Sequence, residues 1–217
     1  MSQPVSPTQP SRSISPGFLI ASPKLDGSPF ERAVVVMVHH DEEGAMGFII
    51  NKPLEIDFGS LIQSVNDEIG LPIIPESFTM PVHFGGPVRI EQLWLIFQRD
   101  LEGEEDREAN QRLLEKMSEP DDGALSFGDG WFLAASGDII EGFAMGSQYG
   151  EYRPFIGYAG WGPGQLEAEI DDGSWLLLDF ERDLFFDSLP AVHWDDALER
   201  IGVDPTAFLM MGKAGMA

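Results

Sequence analysis

The chain of 217 residues contains no cysteine. That absence excludes disulfide frameworks, thiolate zinc sites, iron–sulfur clusters and thiol catalysis together. Basic side chains are scarce: 13 Lys plus Arg stand against 37 Asp plus Glu, a formal net charge of -24. Such a balance repels phosphate backbones and anionic lipid heads, so no nucleic-acid or membrane partner is expected. Long apolar runs are missing as well. The longest is Ala33 to Val38, far short of the ~20 residues that span a bilayer. Residues 1–16 lack the apolar stretch of a signal peptide. The expected location is cytoplasmic.

Catalytic motifs are equally sparse. No G-x-S-x-G elbow occurs, and none of Lys24, Lys52, Lys116 and Lys213 sits in a G-x-x-x-x-G-K-S/T loop. His39 and His40 are adjacent, but neighbours on a strand point to opposite faces and cannot share one metal ion. His83 and His193 stand alone, and carboxylates are too numerous for any pair to be singled out. The sequence assigns no catalytic residue, no cofactor and no metal.

What is present suffices for one folded domain. Hydrophobic residues make up 43% and aromatics 11%, and a chain of this length buries about 70% of its surface on folding. Residues 1–16 hold four prolines, five serines and a threonine, a composition that predicts a disordered tail. The domain then covers residues 17–217. It is interrupted at 100–122 by an acidic excursion with ten acidic and three basic side chains, expected to be solvated and mobile.

Strands are predicted at Gly17 to Ala21, Arg32 to His39, Met46 to Ile50, Trp94 to Phe97, Trp131 to Ala134, Pro154 to Ala159 and Ser174 to Asp179. The second and third form a hairpin across the Asp41–Gly44 turn. Helical spacing marks Asp57 to Val65, with Asp57 as N-cap, and a helix after Ser136 carrying Ile139, Ile140, Phe143 and Ala144. A short acidic helix follows Pro163, and a last one runs from Pro190 to Ile201, closed by Gly202. Strand pairs mixed with single helices imply an α+β domain with a mixed or antiparallel sheet.

The segment Gly157 to Glu167 is the most unusual. Four near-alternating glycines carry a strand into a helix start, a geometry that elsewhere cradles phosphate. Pro163 removes a donor, no basic residue lies in the turn, and Glu167 and Glu169 add negative charge. A tight crossover anchored by Trp161, against the Asn51–Pro53 or Gly85–Pro87 region, is the reading these residues favour. As a ligand or interaction surface, the candidates are Asn51, Lys52, Arg89, Trp161 and Gln165.

Gly17 to Pro23 followed by Phe30 to Val35, the block Gly44 to Pro53, Gly85 to Val88, and Gly157 to Glu167 together resemble the AlgH/YqgE family of bacterial proteins. The resemblance runs from about Gly17 to Leu209. It implies an α+β domain with a bifurcated, barrel-like sheet flanked by helices. One member is named as a regulator of alginate synthesis, but no family-wide activity or catalytic residue is available to carry over. The expected function is therefore a regulator acting through protein–protein contacts. The alternatives are a small-ligand binder or enzyme using the glycine loops, and a direct DNA binder.

Overall fold

The computed structural model describes residues 14–65, 72–99, 124–128, 130–135, 137–146 and 150–214. Among the described residues, ten strands build one sheet: β1 (Gly17–Ala21), β2 (Val34–Asp41), β3 (Gly44–Ile49), β4 (Pro53–Asp57), β5 (Pro81–Phe84), β6 (Val88–Gln98), β7 (Ala124–Gly128), β8 (Trp131–Ala134), β9 (Glu151–Trp161) and β10 (Trp175–Asp179). The helices are α1 (Phe58–Val65), α2 (Gly137–Ala144), α3 (Gln165–Asp171), α4 (Arg182–Phe186), α5 (His193–Arg200) and α6 (Pro205–Ala214).

The main path of the sheet runs β10-β1-β2-β3-β9-β6-β8-β7. Strand β9 is where it forks. Ala159 to Trp161 pair antiparallel with Gly47 to Ala45 of β3, whereas Phe155 and Ile156 pair parallel with His83 and Phe84 of β5. The remaining edge of β9 carries β6. The expected bifurcated α+β sheet is thus present, with β5–β9 the parallel pair among otherwise antiparallel neighbours.

The uninterrupted apolar run of β2 has a simple cause. Val34, Val36 and Val38 join one core with Phe18, Ile20, Phe48 and Phe155, while Val35 and Met37 join another with Leu19, Ile49, Trp161 and Trp175. Side chains alternate across a strand, so a strand covered on both faces must be apolar throughout. A third core, around Phe58, Leu95, Phe97, Phe132 and Phe143, lies beneath α1 and α2. The Asp57 cap is in place: its Oδ1 accepts from the Ser60 N–H at 2.7 Å.

Several elements extend beyond what periodicity predicts. β6 begins at Val88 and β9 runs through Gly157 and Gly160 to Trp161. Close backbone approach explains the glycines here. A Cβ on Gly86 would lie 2.3 Å from the Tyr158 carbonyl carbon, and one on Gly157 2.4 Å from the Gly86 oxygen. Of the tail, residues 1–13 lie outside the described region, as do Ser136 and the acidic excursion at 100–122. Ile14 to Pro16 do not stand apart from the fold. The Ile14 N–H donates to His40 Nδ1 at 3.2 Å, and Pro16 abuts Gly128.

Candidate functional site

The five candidate residues fall in three places. Asn51 accepts from the Val34 N–H at 3.0 Å and donates to the Arg32 carbonyl at 2.8 Å, and Lys52 Nζ donates to the Pro29 carbonyl at 2.7 Å. These two side chains pin the loop before β2 to the end of β3. Burial lowers the Lys52 pKa from its ordinary value, opposed by nearby Glu31. Arg89 is exposed, with a φ of 48° and a 3.3 Å contact to Gln92 Oε1.

Trp161 and Gln165 do meet, around Glu169. The Trp161 Nε1–H donates to Glu169 Oε2 at 2.9 Å, and Gln165 Nε2 donates to Glu169 Oε1 at 2.9 Å. Trp161 is buried against Trp175 and Phe30, with ring centroids 5.9 and 6.3 Å away, not against the Asn51 or Gly85 segments. Gly164, at φ +72°, starts the seven residues of α3, and the Gly162 N–H is already taken by Gln165 Oε1 at 3.1 Å. With Glu167 in the first turn, this end disfavours anions, and the Trp161 and Gln165 side chains both bond Glu169 of α3.

Apart from exposed Arg89, the described basic side chains are engaged within the molecule. Lys24 donates to the Asp172 carbonyl; Arg182 pairs with Glu151 and Gln98; Arg200 pairs with Glu181, Asp183 and Asp196. Arg32 lies over the Trp194 ring, 5.5 Å from its centroid, and Arg99 is only 7% exposed. His39 and His40 diverge as strand geometry requires: His39 is exposed beside Asp41, and His40 is buried with Nε2 3.0 Å from Glu167. Among the described residues, no face gathers several free cations.

Two concavities stand out. The first is an apolar groove of about 260 Å³ between α1 and α2, lined by Leu61, Ile62, Val65, Leu93, Ile140 and Ile156 and edged by Glu91 and Glu141. Val65 is 75% exposed and neighbouring Ile90 61%. The second is a cleft of about 590 Å³ between the β5–β9 pair and the chain after α4. Arg153 and His83 lie on it, with Met80, Phe186 and Leu189 as apolar wall and Glu76, Glu151 and Asp187 as acidic neighbours.

Arg153 donates Nη1 to the Ile50 carbonyl at 3.0 Å and Nη2 to the Phe186 carbonyl at 3.4 Å, and stacks 5.1 Å from the Phe185 centroid. A guanidinium carries five N–H donors, and only two are engaged in these bonds. Burial pushes the Arg153 pKa down to about 10, opposed by Asp187. Burial, then the Arg153 charge and His193, pushes His83 down to about 3. Chiefly through burial, His193 falls to about 4. Both imidazoles are therefore neutral near pH 7, and Nδ1 of each is buried without a hydrogen-bond partner.

The forked sheet and its flanking helices define a single α+β domain whose polar clusters mostly brace the fold. The chain belongs to the AlgH-like family, whose model matches residues 18–206. Relatives include a UPF0301 protein of Anaeromyxobacter dehalogenans strain 2CP-C, 31% identical over 204 residues, covering 92% of this chain and 93% of the relative. Another UPF0301 protein, from Paracoccus denitrificans, is 35% identical over 191 residues, covering 87% and 90%. The solution structure of AlgH from Pseudomonas aeruginosa superimposes with a TM-score of 0.69 at 27% identity, covering 95% and 96% of the two chains. A crystal structure from Corynebacterium diphtheriae shares the fold, with a TM-score of 0.61 at 18% identity over 94% and 93%.

Proposed function

We propose that this protein is a cytosolic regulator that acts by docking a basic, amphipathic segment of a partner protein. The observation that carries this reading is the internal use of its basic side chains. Apart from exposed Arg89, the described cations are engaged by carbonyls, carboxylates and rings, in a chain whose formal net charge is -24. Such a surface attracts basic protein segments and repels DNA. The groove between α1 and α2 supplies apolar contact area, and Glu91 and Glu141 at its edge match lysine or arginine on the polar margin of an incoming helix. None of the helices described is long and apolar enough to cross a membrane.

The test uses a synthetic Leu/Lys amphipathic helix of about five turns and a random-sequence DNA duplex. The peptide should bind saturably, weaken with salt, and lose binding when Val65→Asp or Leu61→Asp is introduced. The duplex should not shift at physiological ionic strength. Peptide binding indifferent to both groove variants, or tight duplex binding, refutes the reading.

A further inference from the structure

A half-buried arginine that uses only two of its donors within the fold needs an explanation that bracing alone does not provide. Arg153 holds two carbonyls, yet its guanidinium also lines an open cleft, and among the described residues no carboxylate lies within ion-pair distance of it. Beside it, His83 also lines the cleft, is 3% exposed, and has a buried Nδ1 without a hydrogen-bond partner. Buried polar atoms are almost always paired, so the unpaired His83 Nδ1 sets this cleft apart, and the donors that Arg153 does not use are available to a ligand in it.

The surrounding charges select the ligand. A simple anion would meet Arg153 but would also face Glu76, Glu151 and Asp187. Arg182 already pairs with Glu151 and lies 3.9 Å from Asp187. Glu76 has no such cation among the described residues. The cleft is thus lined by the Arg153 cation, by one carboxylate, Glu76, with no cation paired to it among the described residues, and by apolar Met80, Phe186 and Leu189. A ligand carrying both charges can meet Arg153 and Glu76 without adding net charge to an acidic protein. At about 590 Å³ the space lies within the range of small-molecule sites.

We propose that this cleft binds a free α-amino acid with an apolar side chain. The carboxylate meets the Arg153 guanidinium in a charge-assisted contact, the ammonium meets Glu76, and the side chain lies on the Met80–Phe186–Leu189 wall. The site is separate from the α1–α2 groove, so it stands or falls independently of the docking reading.

The experiment titrates the full chain with three matched probes: L-leucine, 4-methylpentanoate, which lacks the amine, and isoamylamine, which lacks the carboxylate. The readout is the NMR signal of the Arg153 side-chain N–H and the backbone amides of Tyr152 and Ser188. L-leucine should shift these saturably, and each single-charge probe should bind at least about tenfold more weakly, the usual effect of one lost charged hydrogen bond. Glu76→Gln, an exposed change that leaves the core intact, should weaken L-leucine about tenfold and leave 4-methylpentanoate unaltered. No shift with L-leucine at its solubility limit overturns the proposal. So does equal binding of 4-methylpentanoate, or a Glu76→Gln variant that binds L-leucine as the parent does.

Discussion

Trp161 and Trp175 donate their indole N–H groups to the same oxygen, Glu169 Oε2, at 2.9 and 2.8 Å. The rings meet edge to face at 78°, so one carboxylate on α3 fixes both the end of β9 and the start of β10. Here a polar group organises an apolar core rather than interrupting it.

Removing either half of that arrangement should be costly. Trp161→Ala should destabilise by about 3–5 kcal/mol, as for other large-to-small aromatic changes. Glu169→Leu should cost about 2–4 kcal/mol, because it strands two partly buried donors. Urea midpoints measure both. A loss below about 1 kcal/mol for Trp161→Ala, the range of surface substitutions, would contradict its role as an anchor.

Arg200 predicts an acid-dependent effect. Its hydrogen bond is the main cause that holds the Asp183 carboxyl below the ordinary value. For Asp196 burial pushes upward, but Arg200 and Ser188 outweigh it, and the net direction is again down. A carboxyl depressed in the fold stabilises above its unfolded pKa of about 3.9 and loses that contribution as pH falls through the folded value. Arg200→Leu should therefore lower the thermal midpoint by a few degrees at pH 7. The gap from the parent should close below about pH 4. A gap that persists unchanged at low pH would show that Arg200 acts through packing alone.

The buried histidines give a separate window. Folded pKa values near 3 for His83 and near 4 for His193 lie below the ordinary 6.5. Between these limits the unfolded chain takes up protons that the native state refuses, so stability falls as pH drops below about 6.5. Each histidine should remove about 2 kcal/mol between pH 7.5 and pH 5. Replacing His193 with Phe should flatten that part of the profile, measured by urea unfolding at the two pH values. An unchanged slope would place the His193 proton elsewhere.

Truncation should separate two parts of the N-terminus. Removing residues 1–13 should leave the thermal midpoint unaltered, as expected of Pro/Ser-rich chain without apolar periodicity. Extending the deletion through Pro16 should lower it by a few degrees, since Ile14 packs beside the Leu19–Trp175 core and bonds His40. Equal midpoints for the two deletions would show that Ile14 to Pro16 contribute nothing.

Elements with strong periodicity are legible in the sequence alone. β1, β2, the hairpin into β3, and the helices α1, α2 and α5 each carry an apolar pattern long enough to be distinctive. β4 and β5 begin with Pro53 and Pro81 and extend only five and four residues, so no alternation builds up. Arg182–Phe186 spans barely more than a turn. The N-terminal part of β6 shows no clear apolar alternation, because Arg89, Ile90 and Glu91 are all exposed. The glycine blocks could be recognised as irregular, but not what they touch: Trp161 meets Phe30 and Trp175 through pairings of distant strands. Arg153 and His83 come together only through the parallel β5–β9 pair, which leaves no spacing in the chain. The signal the sequence does offer is an arginine directly before the predicted Pro154–Ala159 strand; in the structure β9 begins at Glu151 and takes Arg153 in.

The forked sheet also constrains the order in which this protein can be completed on a ribosome. β3, β5 and β6 are made long before β9, the strand that seals an edge of each. Until residues 151–161 emerge, three rows of backbone N–H and C=O groups have no permanent neighbour. Open edges rich in Val, Ile and Phe invite pairing between nascent chains. The interval between synthesis of β6 and arrival of β9 is therefore when chaperone cover matters most, and truncations ending before Glu151 should aggregate rather than fold.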